Sequence, residues 1–146
     1  MLTIDSIATL SSGHTIPRLG FGVYQNEGST CESSVLEALR AGYRHIDSAQ
    51  LYGNEEYVGA ALKKSGLRRE DVFITTKIEH KDYGYQSTLA AVEKSLERFG
   101  VDYIDLFLLH EPYSGKTNRI ETYRALLDAK KAGKIRSVGV SNLFVT

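Results

Sequence analysis

The feature that most constrains the fold is a regular alternation between short apolar segments and amphipathic helical segments. The apolar segments predict five strands, at residues 20–25, 44–49, 72–78, 104–110 and 137–142. Between them, apolar residues recur at three- and four-residue steps and predict four helices, at residues 32–41, 54–64, 86–99 and 118–132. A glycine follows each helix within two residues, as is common at helix ends. Strands that alternate with helices predict a parallel sheet with right-handed crossovers.

Two parallel architectures fit this alternation, an open doubly wound sheet and a closed (β/α)8 barrel. Gly20-Phe21-Gly22 matches the beginning of the glycine fingerprint of dinucleotide-binding sheets, but Gln25 stands where the third glycine is required. We therefore predict an α/β fold, a parallel (β/α)8 barrel of the TIM-barrel type. It is expected to be truncated after about five strands, because a complete barrel takes roughly 250 residues.

A β-hairpin is predicted before the main sheet. Residues 6–10 and 14–19 flank Ser11-Ser12-Gly13, which is a turn signal. Nothing between the hairpin and the last strand resembles a linker, so residues 1–146 are expected to form a single partial barrel domain.

Composition argues against several classes of protein. The 146 residues carry 18 basic and 18 acidic side chains, which gives no electrostatic footprint for nucleic acid or an anionic membrane. The single cysteine argues against a disulfide framework, and the histidine spacing matches no metal motif, so no metal is expected. The N-terminus lacks the pattern of a signal peptide, and no apolar run approaches about 18 residues. A cytoplasmic location is predicted.

Polar residues end four consecutive predicted strands, always at the same edge of the sheet. Asp47 closes the second strand, Lys77 the third, His110 the fourth, and Ser141 with Asn142 the fifth. Each residue alone has an ordinary explanation, such as a solvated strand end. In parallel barrels, however, this edge carries the active site, so the repeated pattern indicates a functional site.

The residues at this edge suit proton transfer to a carbonyl group. Tyr52 follows Asp47 by five residues, and the ammonium of Lys77 close to its phenol would ease loss of the phenolic proton. Asp47 could hold Lys77 charged, and His110 could donate a hydrogen bond to a carbonyl oxygen. Such a tyrosine acts as a general acid toward a carbonyl that becomes an alkoxide. No side chain donates hydride, so a cofactor is implied.

A different barrel chemistry would use Lys77 as a Schiff-base nucleophile. Because Asp47 and Tyr52 would keep Lys77 charged, and a charged amine is not nucleophilic, this alternative is disfavoured.

Four segments carry a resemblance to a known family: GYRHIDSAQLYGNEEYVGAAL, FITTKI, YIDLFLLHEP and GKIRSVGVSNL. They resemble the aldo-keto reductases, NADPH-dependent (β/α)8 enzymes that reduce aldehydes and ketones, and the similarity extends from the hairpin to Leu143. The resemblance implies a catalytic tetrad of Asp47, Tyr52, Lys77 and His110. In it, Tyr52 is the proton donor, Lys77 and Asp47 activate Tyr52, and His110 orients the substrate.

The resemblance also implies the cofactor and its contacts. The cofactor would be NADPH or NADP, with NAD not excluded, because the family's segment that grips the adenosine 2′-phosphate would follow the fifth strand. The implied cofactor-binding residues are Gly22, Val23, Tyr24, Asp47, Ser141 and Asn142. Tyr24 and His110 would also contact the substrate. Glu79 and Glu111 stand where many relatives have a bulky aromatic residue, which predicts a more polar or more open pocket.

The expected partner is a small carbonyl compound, whose identity the sequence does not specify. The alternative function is a non-catalytic module, either cofactor-sensing or an inert truncated barrel. The sequence does not separate it from a reductase, because the reductase and the module share the same residues. Whether 146 residues turn over substrate by themselves stays open. An incomplete barrel leaves strand edges unpaired, so self-association through those edges is also expected.

Overall fold

The computed structural model describes residues 2–143; the predicted domain, 1–146, also includes residues 1 and 144–146, which lie outside the described residues. The chain begins with an antiparallel hairpin of β1 (Ile7–Thr9) and β2 (Thr15–Pro17). The main sheet follows, with β3 (Phe21–Gly22), β4 (His45–Asp47), β5 (Phe73–Ile78), β6 (Ile104–Leu109) and β7 (Ile135–Val140). The helices are α1 (Gly28–Arg40), α2 (Glu55–Ser65), α3 (Tyr85–Phe99) and α4 (Gly115–Lys131). Short 3-10 turns cover residues 50–52, 69–71 and 80–82.

The strand order identifies the architecture. In the main sheet the strands lie in the order β3-β4-β5-β6-β7, so each strand is parallel to the one before it in sequence. A doubly wound sheet would reverse this order at a switch point, whereas a barrel continues in one direction. The prediction of a parallel α/β fold of the barrel type with an N-terminal hairpin is confirmed.

Packing explains the first glycine of the incomplete fingerprint. A Cβ atom on Gly20 would lie 2.5 Å from Nδ1 of His45 in β4, so no larger side chain fits without displacing the histidine. Gly20 therefore serves strand packing in this fold.

Two helices begin earlier than the sequence pattern predicts. Helix α1 begins at Gly28 rather than at residue 32, because Cys31 is buried and extends the apolar stripe of Val35 and Leu39 by one turn. Helix α4 begins at Gly115 rather than near residue 118. The first turn of α1 contains one apolar side chain and the first turn of α4 contains none, which is too little for apolar periodicity to detect, so both starts are predicted too late.

The core lies between the helices and the outer face of the sheet. The hydroxyl of Thr76 in β5 donates to the carboxylate of Glu55 in α2, which identifies the face of β5 that the helices cover. The buried apolar strand residues on that face are Ile46, Ile74, Ile78, Phe107 and Leu109. The helices contribute Val35, Leu39, Val58, Val92, Leu96 and Leu126 to the same core. Full burial of each large aliphatic side chain contributes about 1.5–3 kcal/mol.

Charged groups tie the strands together at the N-terminal edge of the sheet. The buried carboxylate of Asp105 accepts hydrogen bonds from Arg69 at 2.6 Å and from the Ile74 amide at 2.9 Å. Two guanidinium groups lie over the ring of Tyr103, with the Cζ atoms of Arg69 and Arg136 at 4.2 and 3.7 Å from the ring centroid. We refer to Asp105, Arg69, Arg136 and Tyr103 as the Asp105 cluster.

The hairpin contacts the strands near the same edge. Its turn bonds to β7, where the Oγ atoms of Ser12 and Ser137 are 2.7 Å apart. In residues 2–143, no helix is both long enough and apolar enough to cross a membrane.

Gly59 gives a test of the helix packing. It lies inside α2, where a Cβ atom would come within 2.3 Å of the backbone oxygen of Phe99 at the end of α3. Alanine normally stabilises a helix interior by about 1 kcal/mol relative to glycine. We expect Gly59→Ala instead to lower the free energy of unfolding by about 1–3 kcal/mol, because the helices must separate. Urea denaturation measures this change.

The neighbouring Ala60→Gly is the control for the Gly59 variant, since it should cost only the helix propensity, about 1 kcal/mol. A Gly59→Ala protein at least as stable as wild type would contradict the close contact of α2 and α3.

The open edges of the sheet generate a second prediction. In the described residues, β3 pairs only with β4 and β7 only with β6, and Val140 is 50% exposed. Unpaired parallel strands with exposed apolar residues favour association, at about 25 cal/mol per Å² of apolar surface buried. We therefore expect a polypeptide of these 146 residues, prepared by itself, to self-associate. Light scattering that finds a monodisperse monomer at all concentrations would contradict this.

Candidate active site

The strand register brings three of the predicted catalytic residues to one face of the sheet. Asp47 at the end of β4 pairs with Thr75 in β5, and Lys77 lies two residues further along the same face. Lys77 pairs with Leu108 in β6, and His110 lies two residues beyond Leu108. Because side chains alternate across a strand, the three residues share the inner face, opposite the helices.

Lys77 and Asp47 form an ion pair at the C-terminal edge of this face. The ammonium Nζ of Lys77 lies 2.5 Å from Oδ1 of Asp47 and also donates to the backbone oxygen of Ser48 at 2.9 Å. The Lys77 side chain is 9% exposed and the Asp47 side chain 35%, so the ammonium is almost removed from water. A buried ammonium without acceptors would cost several kcal/mol. The two acceptors from the end of β4 thus fix both the position and the direction of Lys77.

The ring of Tyr52 lies at the centre of the site. It is carried by the 3-10 turn 50–52, directly after β4. The ammonium of Lys77 is 5.1 Å from the ring centroid, and the ring of His110 meets it edge-on with centroids 5.7 Å apart. The exposed ring of Tyr24 covers another side, at 5.0 Å between centroids. Tyr52 is therefore surrounded by a cation, an imidazole and a second phenol.

His110 is buried, and its surroundings favour the neutral form of its imidazole. Burial lowers the pKa of its imidazole below the ordinary 6.5, and the charge of Lys77 lowers it further. Its Nδ1 atom is buried and has no hydrogen-bond partner among residues 2–143. Since an unsatisfied buried N–H costs more than an unsatisfied lone pair, the neutral ring keeps its proton on Nε2.

Ser141 and Asn142 lie directly after β7 and are attached to the backbone of β6 and His110. The Ser141 amide donates to the Leu109 oxygen at 2.7 Å, and Nδ2 of Asn142 donates to the His110 oxygen at 3.0 Å. The Asn142 backbone has a φ of 57°, in the left-handed region that asparagine tolerates better than most residues. A polar amide and a hydroxyl are thus held side by side at the edge of the site, with 3.1 Å between them.

The loop after β3 borders the site on the other side. Gly22 pairs with Asp47, and a Cβ atom on Gly22 would meet nothing within 4 Å, so the space in front of it is open. Val23 is different, because its side chain is fully buried in the core and its amide donates to the Asp47 oxygen at 3.0 Å. Val23 therefore anchors the loop, and Tyr24 is the first residue of the loop that is exposed.

Two acidic residues lie near His110, and each contacts a nitrogen-bearing side chain. Glu79 contacts Lys81 at 2.6 Å, and Glu111 contacts His80 at 2.9 Å. The negative charges of both carboxylates raise the pKa of His110, but burial and the charge of Lys77 lower it by more. The rim of the site is accordingly polar.

Sequence reasoning missed the role of Asn54. Its position before α2 predicts a helix cap, but its side chain makes no capping bond. Instead, Oδ1 accepts from the Ser48 hydroxyl at 2.7 Å, and Nδ2 donates to the backbone oxygens of Val23 and Asn26 at 2.8 and 2.9 Å. Asn54 thus stands at the N-cap position of α2 without a side-chain capping bond. The sequence does not reveal this, because an asparagine before a helix carries the same local signal whichever partner its side chain bonds.

A second group that the sequence did not reveal lies behind the site. The buried carboxylate of Glu55 accepts from Thr76 at 2.6 Å and from Ser95 at 2.9 Å. The side chain of Gln50 donates to Ser95 at 2.8 Å and accepts from the Glu79 amide at 3.3 Å. This network ties the turn that carries Tyr52 to α2, α3 and the end of β5.

No group of three or more His, Cys, Asp or Glu side chains could hold a metal ion in the part of the chain that the structure describes.

The electrostatic contact between Lys77 and His110 can be tested directly. Because the charge of Lys77 lowers the pKa of His110, Lys77→Met should raise that pKa and move protonation of the imidazole to higher pH. NMR titration of the imidazole carbon-bound protons measures the change. Lys94→Met, which removes an exposed lysine on α3, is the matched control and should leave the titration as in wild type. An unmoved His110 titration in Lys77→Met would disprove the contact.

Comparison with known proteins assigns the chain to a family. The model of the aldo/keto reductase family matches residues 18–145. The glyoxal reductase of Bacillus subtilis is 50% identical over 144 residues, which are 98% of this chain and 51% of that protein. The crystal structure of an aldo/keto reductase from Brucella melitensis superposes with a TM-score of 0.94 at 48% identity, covering 96% of this chain and 55% of that chain. The Bombyx mori aldo-keto reductase in complex with NADP superposes with a TM-score of 0.87 at 32% identity, covering 95% of this chain and 51% of that chain.

The match covers nearly all of this chain, but the chain spans only about half the length of these relatives. It nevertheless includes all five strands of the parallel sheet and the residues at their C-terminal ends. The chain belongs to the aldo/keto reductase family.

Proposed function

We propose that the protein containing this segment is an NADPH-dependent carbonyl reductase, which reduces small aldehydes or ketones to alcohols. The observation that carries the proposal is the arrangement around Tyr52, whose ring lies 5.1 Å from the Lys77 ammonium and 5.7 Å from the His110 ring. A phenol between a fixed cation and a neutral imidazole suits proton donation to a carbonyl oxygen.

Each of the four catalytic residues has a separate proposed role. Tyr52 donates the proton to the oxygen that becomes the alcohol. Lys77, held by Asp47 at 2.5 Å, places a positive charge beside Tyr52 and stabilises the negative charge that develops when the proton leaves. His110, neutral and protonated on Nε2, donates a hydrogen bond to the carbonyl oxygen and so orients it. A nicotinamide cofactor, when bound, supplies the hydride that no side chain can supply.

The residues around the site fit a nicotinamide. The open space in front of Gly22 leaves room for a flat ring, and the exposed amide of Asn142 with the hydroxyl of Ser141 matches a carboxamide, which both donates and accepts hydrogen bonds. Tyr24 would border both cofactor and substrate. Val23, whose side chain is buried, would contribute through the path of the loop, and Asp47 through its ion pair.

Relatives support the choice of cofactor and substrate class. One structural neighbour is named as a complex with NADP, and a relative 50% identical is named a glyoxal reductase, which acts on a small dicarbonyl. We extend NADPH and a small carbonyl substrate to this protein on that basis, with NAD as the other possible cofactor. The polar rim at Glu79 and Glu111 agrees with a small polar substrate.

The domain, its location and its partners are part of the same proposal. Residues 1–146 would be part of one (β/α)8 barrel domain that works in the cytoplasm on small molecules, with neither nucleic acid nor membrane as a partner. A Schiff-base role for Lys77 has less support, because its ammonium already bonds both Asp47 and the Ser48 oxygen. The remaining alternative is a cofactor-binding module without turnover.

Tyr52→Phe in the full-length protein tests the proposal. Loss of the general acid should reduce kcat for an aromatic aldehyde about 10²–10⁴-fold. The affinity for NADPH should change little, because the variant keeps the ring and loses only the hydroxyl. NADPH oxidation followed by absorbance measures turnover, and the fluorescence of bound NADPH measures affinity.

Tyr113→Phe is the matched control, since Tyr113 is exposed in the loop after β6 and should retain wild-type rates. Near-normal turnover in Tyr52→Phe would assign the proton to another group. A wild-type protein that binds NADPH but reduces no carbonyl would favour the non-catalytic module.

A further inference from the structure

The loop that carries Tyr24 is a β-turn with an unfavourable backbone conformation. The Asn26 amide donates to the Val23 oxygen at 3.1 Å, which closes the turn over Tyr24 and Gln25. Gln25 has a φ of 59°, in the left-handed region that glycine or asparagine normally occupies at this position. A glutamine there is strained, so the surrounding structure must hold the turn in place.

The side chain of Asn54 makes the bonds that hold this turn. Its Nδ2 donates to the oxygens of Val23 and Asn26, which are the first and last residues of the turn, at 2.8 and 2.9 Å. Asn54 is 1% exposed, so these bonds are protected from water. Both amide hydrogens are used at opposite ends of a single turn.

The oxygen of the same amide reaches the other side of the site. Oδ1 of Asn54 accepts from the Ser48 hydroxyl at 2.7 Å, and the backbone oxygen of Ser48 accepts from the Lys77 ammonium at 2.9 Å. One buried side chain thus joins the turn under Tyr24 to the strand end that holds Lys77. The ring centroid of Tyr24 lies 5.0 Å, and Nζ of Lys77 lies 5.1 Å, from the ring centroid of Tyr52.

We propose that Asn54 is a positioning residue, which fixes the turn Val23–Asn26 against the end of β4 and thereby sets Tyr24 and Lys77 around Tyr52. The inference rests on the proposed reductase function, because it assigns Asn54 a role in arranging that site. A purely structural helix cap does not account for the contacts, since none of the three bonds of Asn54 is a capping bond.

The test uses the full-length protein with Asn54→Ala and, as a matched control, Asn118→Ala at an exposed position on α4. Hydrogen exchange of the Asn26 amide reports on the turn, and NADPH fluorescence and steady-state kinetics with an aromatic aldehyde report on the site. Asn54→Ala should speed exchange and weaken NADPH binding about tenfold each, as expected when one or two buried hydrogen bonds are lost. Asn118→Ala should match wild type.

A rescue variant separates positioning from general destabilisation. Glycine adopts a positive φ without strain, so adding Gln25→Gly to Asn54→Ala should recover at least about a third of the lost NADPH affinity and slow the exchange again. Urea denaturation of the single and double variants measures overall stability, and recovery of NADPH affinity that exceeds the recovery of stability assigns the effect to the turn. Ser48→Ala removes only the hydrogen bond to Oδ1 of Asn54. It should speed exchange and weaken NADPH binding by a smaller factor than Asn54→Ala does. This variant tests the proposal if Asn54→Ala does not fold.

Two results would overturn the positioning role. One is a wild-type protein with normal turnover whose Asn54→Ala variant keeps its exchange rates and NADPH affinity. The other is faster exchange in that variant with unchanged affinity and kinetics, which would make the bonds structural only. A wild-type protein that neither binds nor oxidises NADPH would instead overturn the proposed function, while its exchange rates would still report whether Asn54 holds the turn.

Discussion

The buried ammonium of Lys77 is the constraint on which the site depends. It must find acceptors inside the protein, and the end of the neighbouring parallel strand supplies them in Asp47 and the Ser48 oxygen. A slip of β5 by one residue would turn Lys77 toward the helices, next to the apolar side chains of Ile46 and Phe107 in the neighbouring strands. An unpaired charge there would cost several kcal/mol. The ion pair therefore specifies the register of the sheet as well as the chemistry at its edge.

The turn that carries Tyr52 is held from both sides of the sheet. On the helix side, Gln50 bonds Ser95 of α3 and the Glu79 amide, and Ser95 donates to the buried carboxylate of Glu55. On the loop side, Asn54 follows the turn and bonds the Val23–Asn26 loop. Buried polar groups in which every member is bonded specify a single geometry more strictly than apolar packing does. The position of the Tyr52 ring is accordingly a property of the whole network rather than of a flexible loop.

The sequence predicted the sheet and the edge of the site because both follow from local periodicity. Asp47, Lys77 and His110 each end an apolar run, and parallel strands bring such ends together without further information. The roles of Asn54 and Glu55 were not predictable in this way, because their partners lie 21 to 43 residues away in several cases, in other elements. Locally, both residues carry ordinary signals for the start of a helix. The bonding partners of Gln50 and Arg69 could not be predicted for the same reason.

The two edges of the sheet carry different kinds of interaction. At the N-terminal edge, the Asp105 cluster joins β5, β6 and β7 through a buried carboxylate and two guanidinium groups, and the hairpin contacts Ser137 of β7. At the C-terminal edge, the exposed rim at Tyr24 and Leu51 lies outside the buried core. Mutations in that rim can therefore accumulate with little loss of fold stability. This separation gives the scaffold evolvability: the proposed reductase can change its substrate preference by exchanging rim residues while the Asp105 cluster and the Lys77–Asp47 pair keep the strands in register.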